Sequence, residues 1–93
     1  MNIQLEEIDN KGRAFHGEPS EPLAEMTYSI ANDAFIIIDH THVDDSLRGQ
    51  GVGRKLLDKI VSMVREKGMK ILPLCPYAKS VFQKDASIRD VLR

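Results

Sequence analysis

The sequence predicts one mixed α/β domain over residues 1–93: a mostly antiparallel sheet of about five strands carrying two helices, in the order β-β-β-β-α-β-α. Three observations predict it. Strand-like patterns fill the chain as far as Val43, and one long helical stripe runs from Val52 to Val64. A short apolar run and a second, shorter helix follow Gly68. A chain of 93 residues has no room for a second core.

Ile3, Leu5 and Glu7 alternate with Gln4, Glu6 and Ile8, an imperfect period of two that marks the first strand. Asp9-Asn10-Lys11-Gly12 is a turn signal, and Arg13 to His16 is the returning strand of a hairpin. Gly17-Glu18-Pro19-Ser20-Glu21-Pro22 reads as a break. From Leu23 to Ile30, Ala24, Met26, Tyr28 and Ile30 share one side, opposite a mostly polar one, as in a half-buried antiparallel strand. After the turn at Asn32-Asp33, Phe35 to Ile38 is continuously apolar, which predicts a central strand covered on both faces. The run turns polar at Asp39-His40-Thr41-His42, and β-branched Thr41 and Val43 keep it extended. Val52, Leu56, Leu57, Ile60, Val61 and Val64 form the stripe of a helix that Gly68 stops. Met69 to Leu74 is a buried strand, Pro76 ends it, and Tyr77 to Lys84 is a short helix.

Composition narrows the function classes. Apolar residues at 42% and charged residues at 29% are ordinary globular values, and a net charge of −1 argues against a nucleic-acid partner. No apolar run reaches the ~20 residues of a membrane span, and Met1 to Asn10 has no signal-peptide pattern. One cysteine cannot close an internal disulfide, so the cytoplasm is the expected compartment. Without Trp and with few other aromatics, neither a base-stacking platform nor an aromatic cage is expected.

Arg48-Gly49-Gln50-Gly51-Val52-Gly53 lies between the fourth strand and the long helix. Glycine lets backbone N–H groups approach an anion, and the helix start adds partial positive charge to that of Arg48. The segment therefore predicts a phosphorylated ligand. A dinucleotide fingerprint would need glycine at Arg54 or Leu56, and a Walker A loop would need Lys-Ser/Thr after Gly53. Neither fits. The alternative is a tight strand-to-helix turn that uses glycine for geometry alone.

Arg48, Gly51 and Gly53 do meet the pattern Arg/Gln-x-x-Gly-x-Gly/Ala, which resembles the acetyl-CoA motif of the GNAT superfamily of N-acetyltransferases. The resemblance covers roughly Leu23 to Lys84 and is nearest to a small, truncated GNAT-like subfamily with the same Asp-His-Thr run, Gly-Gln-Gly loop and late cysteine. It implies a truncated GNAT fold without the two helices between the first two strands. It implies that the fourth and fifth strands splay to admit acetyl-CoA. The backbone of Thr41, His42 and Val43 would pair with pantetheine, and the amides of Arg48, Gly49, Gln50, Gly51, Val52, Gly53 and Arg54 would receive the pyrophosphate.

Many GNATs read Asn-x-x-Ala-x-x-x-Tyr after the fifth strand, the tyrosine protonating the departing thiolate. This chain reads Cys75-x-x-Ala78-x-x-x-Phe82, so the alanine register holds and the hydroxyl is missing. Cys75 falls near the expected thioester and is a candidate nucleophile; equally, a lone cysteine is often just a small buried residue. His40 and His42, two apart on a strand, share one face, and His40, the deeper of the two, is the candidate base for Cys75. A zinc site of His40, His42 and Cys75 is a weaker alternative, because no paired Cys-x-x-Cys or His-Glu-x-x-His supports it; no metal is expected. The implied activity is acetyl transfer from acetyl-CoA to an amine, small molecule or protein lysine, either through an acetyl-Cys75 intermediate or by direct attack of the bound amine. The alternative is a non-catalytic acyl-CoA-binding or sensing module acting with a partner protein. The protein is expected to be a monomer or weak dimer.

Overall fold

Two residues, Asp9 and Asn10, connect β1 (Gln4–Ile8) to β2 (Lys11–Glu18) in a computed structural model that describes every residue from Met1 to Arg93. Asp9 has φ 58°, a left-handed conformation that tight hairpins require and Asp tolerates. β2 continues through Gly17, turns at Pro19-Ser20, and β3 (Glu21–Ile30) begins before Pro22. The Gly17–Pro22 segment is thus a hairpin rather than a break. The register slips between His16 and Gly17, and Gly17, at φ 102°, pairs with Pro22 at this irregular end of the ladder. A proline, lacking an N–H, is tolerated at such a place.

β4 (Phe35–Val43) pairs antiparallel with β3. α1 (Val52–Lys67) follows and ends at Gly68, whose φ of 68° lets its own N–H reach Arg65 O while Met69 N–H reaches Val64 O. β5 (Lys70–Pro73) returns parallel to β4, giving the sheet order β1-β2-β3-β4-β5. α2 (Pro76–Lys84) and a 3-10 segment, Ala86–Val91, complete the chain, with Leu92 bridged to the outer edge of Ile71.

The helices occupy one face only. Ala14, Met26, Tyr28, Ile36, Ile38 and Ile71 of the sheet join Leu57 and Ile60 of α1, Phe82 of α2, and Ile88 and Val91 in a single buried cluster. Cover on both faces of β4 was the expectation from its apolar run, and the structure corrects it. Ile36 and Ile38 are buried, whereas Phe35 and Ile37 remain half-buried on the open side. There the guanidinium of Arg93 lies 3.6 Å from the Phe35 ring centroid. Across the same open face, Arg13 is bound to Glu25 (2.6 Å) and Glu6 and stacks over Phe15, which is thereby buried without any helix above it. No helix is long and apolar enough to cross a membrane.

Candidate functional site

β4 changes character at Asp39. Its ladder with β5 runs from Phe35↔Lys70 to Ile38↔Pro73 and stops. Pro73 has no N–H to continue the pairing, and Pro76 starts α2. Ile38 O instead accepts both Leu74 N–H (3.1 Å) and Cys75 N–H (3.2 Å), pulling the chain away from the sheet. From Asp39 to Val43, β4 is paired with β3 alone. Its other edge is bare, and backbone polar groups on a bare edge call for a partner.

A bulge sits at the same place. Tyr28 pairs with Ile38 but Thr27 pairs with His40, so Asp39 is an extra residue, held by a hydrogen bond from Ser29 Oγ (2.8 Å). One extra residue reverses which side chains face the helices. Before the bulge these are Ile36 and Ile38; after it they are Thr41 and Val43. Thr41 Oγ1 lies 3.0 Å from Cys75 Sγ. His40 and His42 leave β4 toward the open face and are exposed. The expected pairing of His40 with Cys75 is therefore not formed; the side chain that meets the thiol is Thr41. Beside His40's strand partner Thr27, a hollow of about 500 Å³ is lined by Glu6, Lys11, Arg13 and Asp39.

The glycine loop lies beyond this bare strand end. Asp44 caps a 3-10 turn, Asp45–Leu47, its carboxyl accepting from Ser46 Oγ and N–H, which hold it below the usual carboxylate range. Gly49 (φ 82°) and Gly51 (φ 67°) are left-handed, and nothing lies within 4 Å of where their side chains would be. They are glycines for backbone conformation, and their exposed side is open. The first helical bond of α1 is Lys55 N–H to Gly51 O, and no side chain caps the helix. The N–H groups of Gly51, Val52, Gly53 and Arg54 consequently have no acceptor within the protein. Free amides at a helix start are donors that could hold an anion such as a diphosphate. The Arg48 side chain is 81% exposed, touching only Asp45, and is free to join. Arg54 offers its amide alone, because Asp58 (2.8 Å) and Asp85 (2.6 Å) hold its guanidinium. Asp85 also accepts from Ser87 Oγ and N–H, and with Arg54 these donors draw its carboxyl down to about 2.

Cys75 is the N-cap residue of α2 and is 4% exposed. Ala78 and Phe82 are buried on the inner face of that helix, so Phe82 supplies packing and no proton. No three His, Cys, Asp or Glu side chains are grouped as a metal site.

The sequence profile of the GCN5-related N-acetyl-transferase family matches residues 13–91. The chain belongs to this family. Its fold is similar to the solution structure of a GCN5-like N-acetyltransferase candidate from Staphylococcus aureus, with 39% identity over 99% of this chain and 89% of that one and a TM-score of 0.75. Two crystal structures are similar at lower identity. One is a ribosomal-protein-alanine N-acetyltransferase from Brucella melitensis biovar Abortus 2308, at 16% identity and TM-score 0.58 over 72% of this chain and 51% of that one. The other is an aminoglycoside acetyltransferase from an uncultured soil metagenomic sample, at 17% and 0.60 over 83% and 57%. These two show the shared fold, and this GCN5-related chain spans little more than half of either. No curated protein matches the sequence.

Two features of the site carry no sequence signal. The Thr41–Cys75 contact depends on the bulge, and the Arg54–Asp85 clamp joins residues far apart in the chain. A third had a faint one: Gly53 stands in an ordinary helical turn, where alanine would suit the backbone better.

Proposed function

We propose that this GCN5-related chain moves an acetyl group from acetyl-CoA to an amine, with Cys75 carrying the acetyl group between the two. The observation that carries the reading is the bare edge of β4, which has a cradle of free amides at one end and a thiol at the other. The backbone of Thr41, His42 and Val43 would hold the pantetheine. The Arg48 side chain and the amides of Gly49 and Gly51 to Arg54 would hold the diphosphate; the amides of Arg48 and Gln50, expected to join them, are instead donated to Asp45 O and Leu47 O. Acetyl-CoA supplies an activated thioester: the Cys75 Sγ–acetyl bond would form as the CoA S–acetyl bond breaks, CoA leaving as a thiolate and taking up through solvent the proton that Cys75 gives up. The Thr41 hydroxyl, 3.0 Å away, donates to the sulfur when it is ionised. His40 faces away from Cys75 across the sheet, so the acceptor, a small-molecule amine or protein lysine, would lose its ammonium proton to solvent before it reaches the thioester. The neutral nitrogen then attacks the Cys75 acetyl carbon, and the thiolate leaves and regains a proton.

Two observations favour the second reading, an acyl-CoA-binding or sensing module that works with a partner. Cys75 is only 4% exposed, and Phe82 lacks the hydroxyl that would protonate a departing thiolate. Intact mass measured after mixing with acetyl-CoA separates the two. One acetyl group on Cys75, absent in Cys75→Ala, supports transfer. Calorimetric binding of CoA without any label supports the module. Absence of CoA binding refutes both.

A further inference from the structure

Gly53 is the one glycine of the loop whose backbone does not require it. It lies inside α1 and its φ is not positive, so a side chain there would be welcome to the helix. Space forbids one instead. A Cβ on Gly53 would stand 2.9 Å from Tyr77 Cζ and 3.1 Å from its hydroxyl oxygen. The ring of Tyr77, the second residue of α2, thus crosses from the Cys75 end of the cleft to the first turn of α1. Its hydroxyl bonds to no protein group, although Arg54 and Asp58 lie nearby, and the residue is 37% exposed. Burial raises the phenol's ionisation above its ordinary value, so it remains a donor at neutral pH.

We propose that Tyr77 is a positioning residue of the cofactor site, its hydroxyl donating to the phosphate that receives the free N–H groups of Gly51 to Arg54. The proposal rests on the reading of the cleft given above. Gly53 is then part of the same device, because its missing side chain lets the ring sit close enough for phenol and amides to meet one anion.

Calorimetry with CoA on the parent, Tyr77→Phe and Gly53→Ala tests this. Tyr77→Phe keeps the ring and removes only a hydroxyl without a protein partner, so its thermal unfolding should match the parent's. Its affinity for CoA should fall about tenfold or more, as for a hydrogen bond to a charged group. Gly53→Ala displaces the ring and should weaken binding similarly. A second readout uses the absence of Trp and the presence of only two tyrosines. Tyr28 is buried and donates to Glu7, so a difference spectrum in the tyrosine band on adding 4′-phosphopantetheine, which lacks adenine, reports Tyr77. It should appear in the parent and vanish in Tyr77→Phe. Equal CoA affinity in parent and Tyr77→Phe overturns the proposal while leaving the cleft reading intact. A lowered melting temperature with unchanged affinity also overturns it, making the ring purely structural. A parent that binds no CoA overturns both.

Discussion

The two halves of β4 are built for opposite ends. Phe35 to Ile38 is apolar and paired on both edges, and its inward side chains are among the most buried in the protein. Asp39 to Val43 is polar and paired on one edge only. The first half stabilises the fold by burial, at about 1.5–3 kcal/mol for each fully buried aliphatic side chain. The second half leaves backbone groups unpaired beside a buried thiol, an arrangement of little value to folding and suited to a ligand. The division teaches that one strand can be closed on both edges in one half and open on one edge in the other, with one bulge marking the change.

Substitution should break this comparison most visibly at Ile38. Ile38→Ala should cost about 2–5 kcal/mol in urea unfolding, the range for emptying a packed aliphatic site. His42→Ala, on the exposed second half, should stay within about 0.5 kcal/mol. Similar losses at both positions would erase the division.

The two ends of α1 sharpen it further. Gly51 and Gly68 have almost the same left-handed backbone, φ 67° and 68°, with open space over both. A side chain at either should cost about 1–2 kcal/mol of stability. Gly51→Val should in addition lose CoA binding by at least tenfold, while Gly68→Ala should keep it and both retain the parent's far-UV circular dichroism. Equal binding by the two variants would remove the cradle.

A smaller effect is expected at Thr41. Thr41→Val deletes the contact to Cys75 Sγ and should cost about 1 kcal/mol. It should also change the rate at which iodoacetamide alkylates Cys75, whereas His40→Ala should leave that rate alone. The reverse result would mean that the histidine reaches the thiol despite the bulge.

The least effect is a pH dependence. Asp85, held by Ser87 and Arg54, ionises near 2 in the folded protein, below its ordinary value of 3.8. Its folded pKa is depressed, so its contribution is complete above about pH 4 and is lost as pH falls toward about 2. In urea unfolding, the gap between the parent and Asp85→Asn should narrow across that window. A constant gap would show that the Arg54 clamp is indifferent to charge.

Much of this was legible in the residues. Period-two patterns, continuous apolar runs, turn signals and one helical stripe located all five strands and both helices, because burial leaves its mark in the local order of apolar and polar residues. The loop from Arg48 to Arg54 was legible because a left-handed backbone selects glycine. The hairpin across Gly17 to Pro22 was not, since proline and glycine also mark the irregular end of a ladder. Cover on one face of β4 was not legible either. Ile37 reads as core by hydropathy, and nothing local to it tells where the helices lie.

By itself the sequence determined the element order, the glycine loop before α1 and the family, since each rests on residues adjacent in the chain or on their short-range period. Tertiary structure alone decided which side chain meets Cys75. Counting by twos from Ile36 and Ile38 carries His40 and His42 to the helical face, beside the thiol. The extra residue at Asp39 shifts that count by one, sending the histidines to the open face and Thr41 inward. A bulge is a mismatch between two strands, a property of β3 and β4 together, and no pattern within either strand records it.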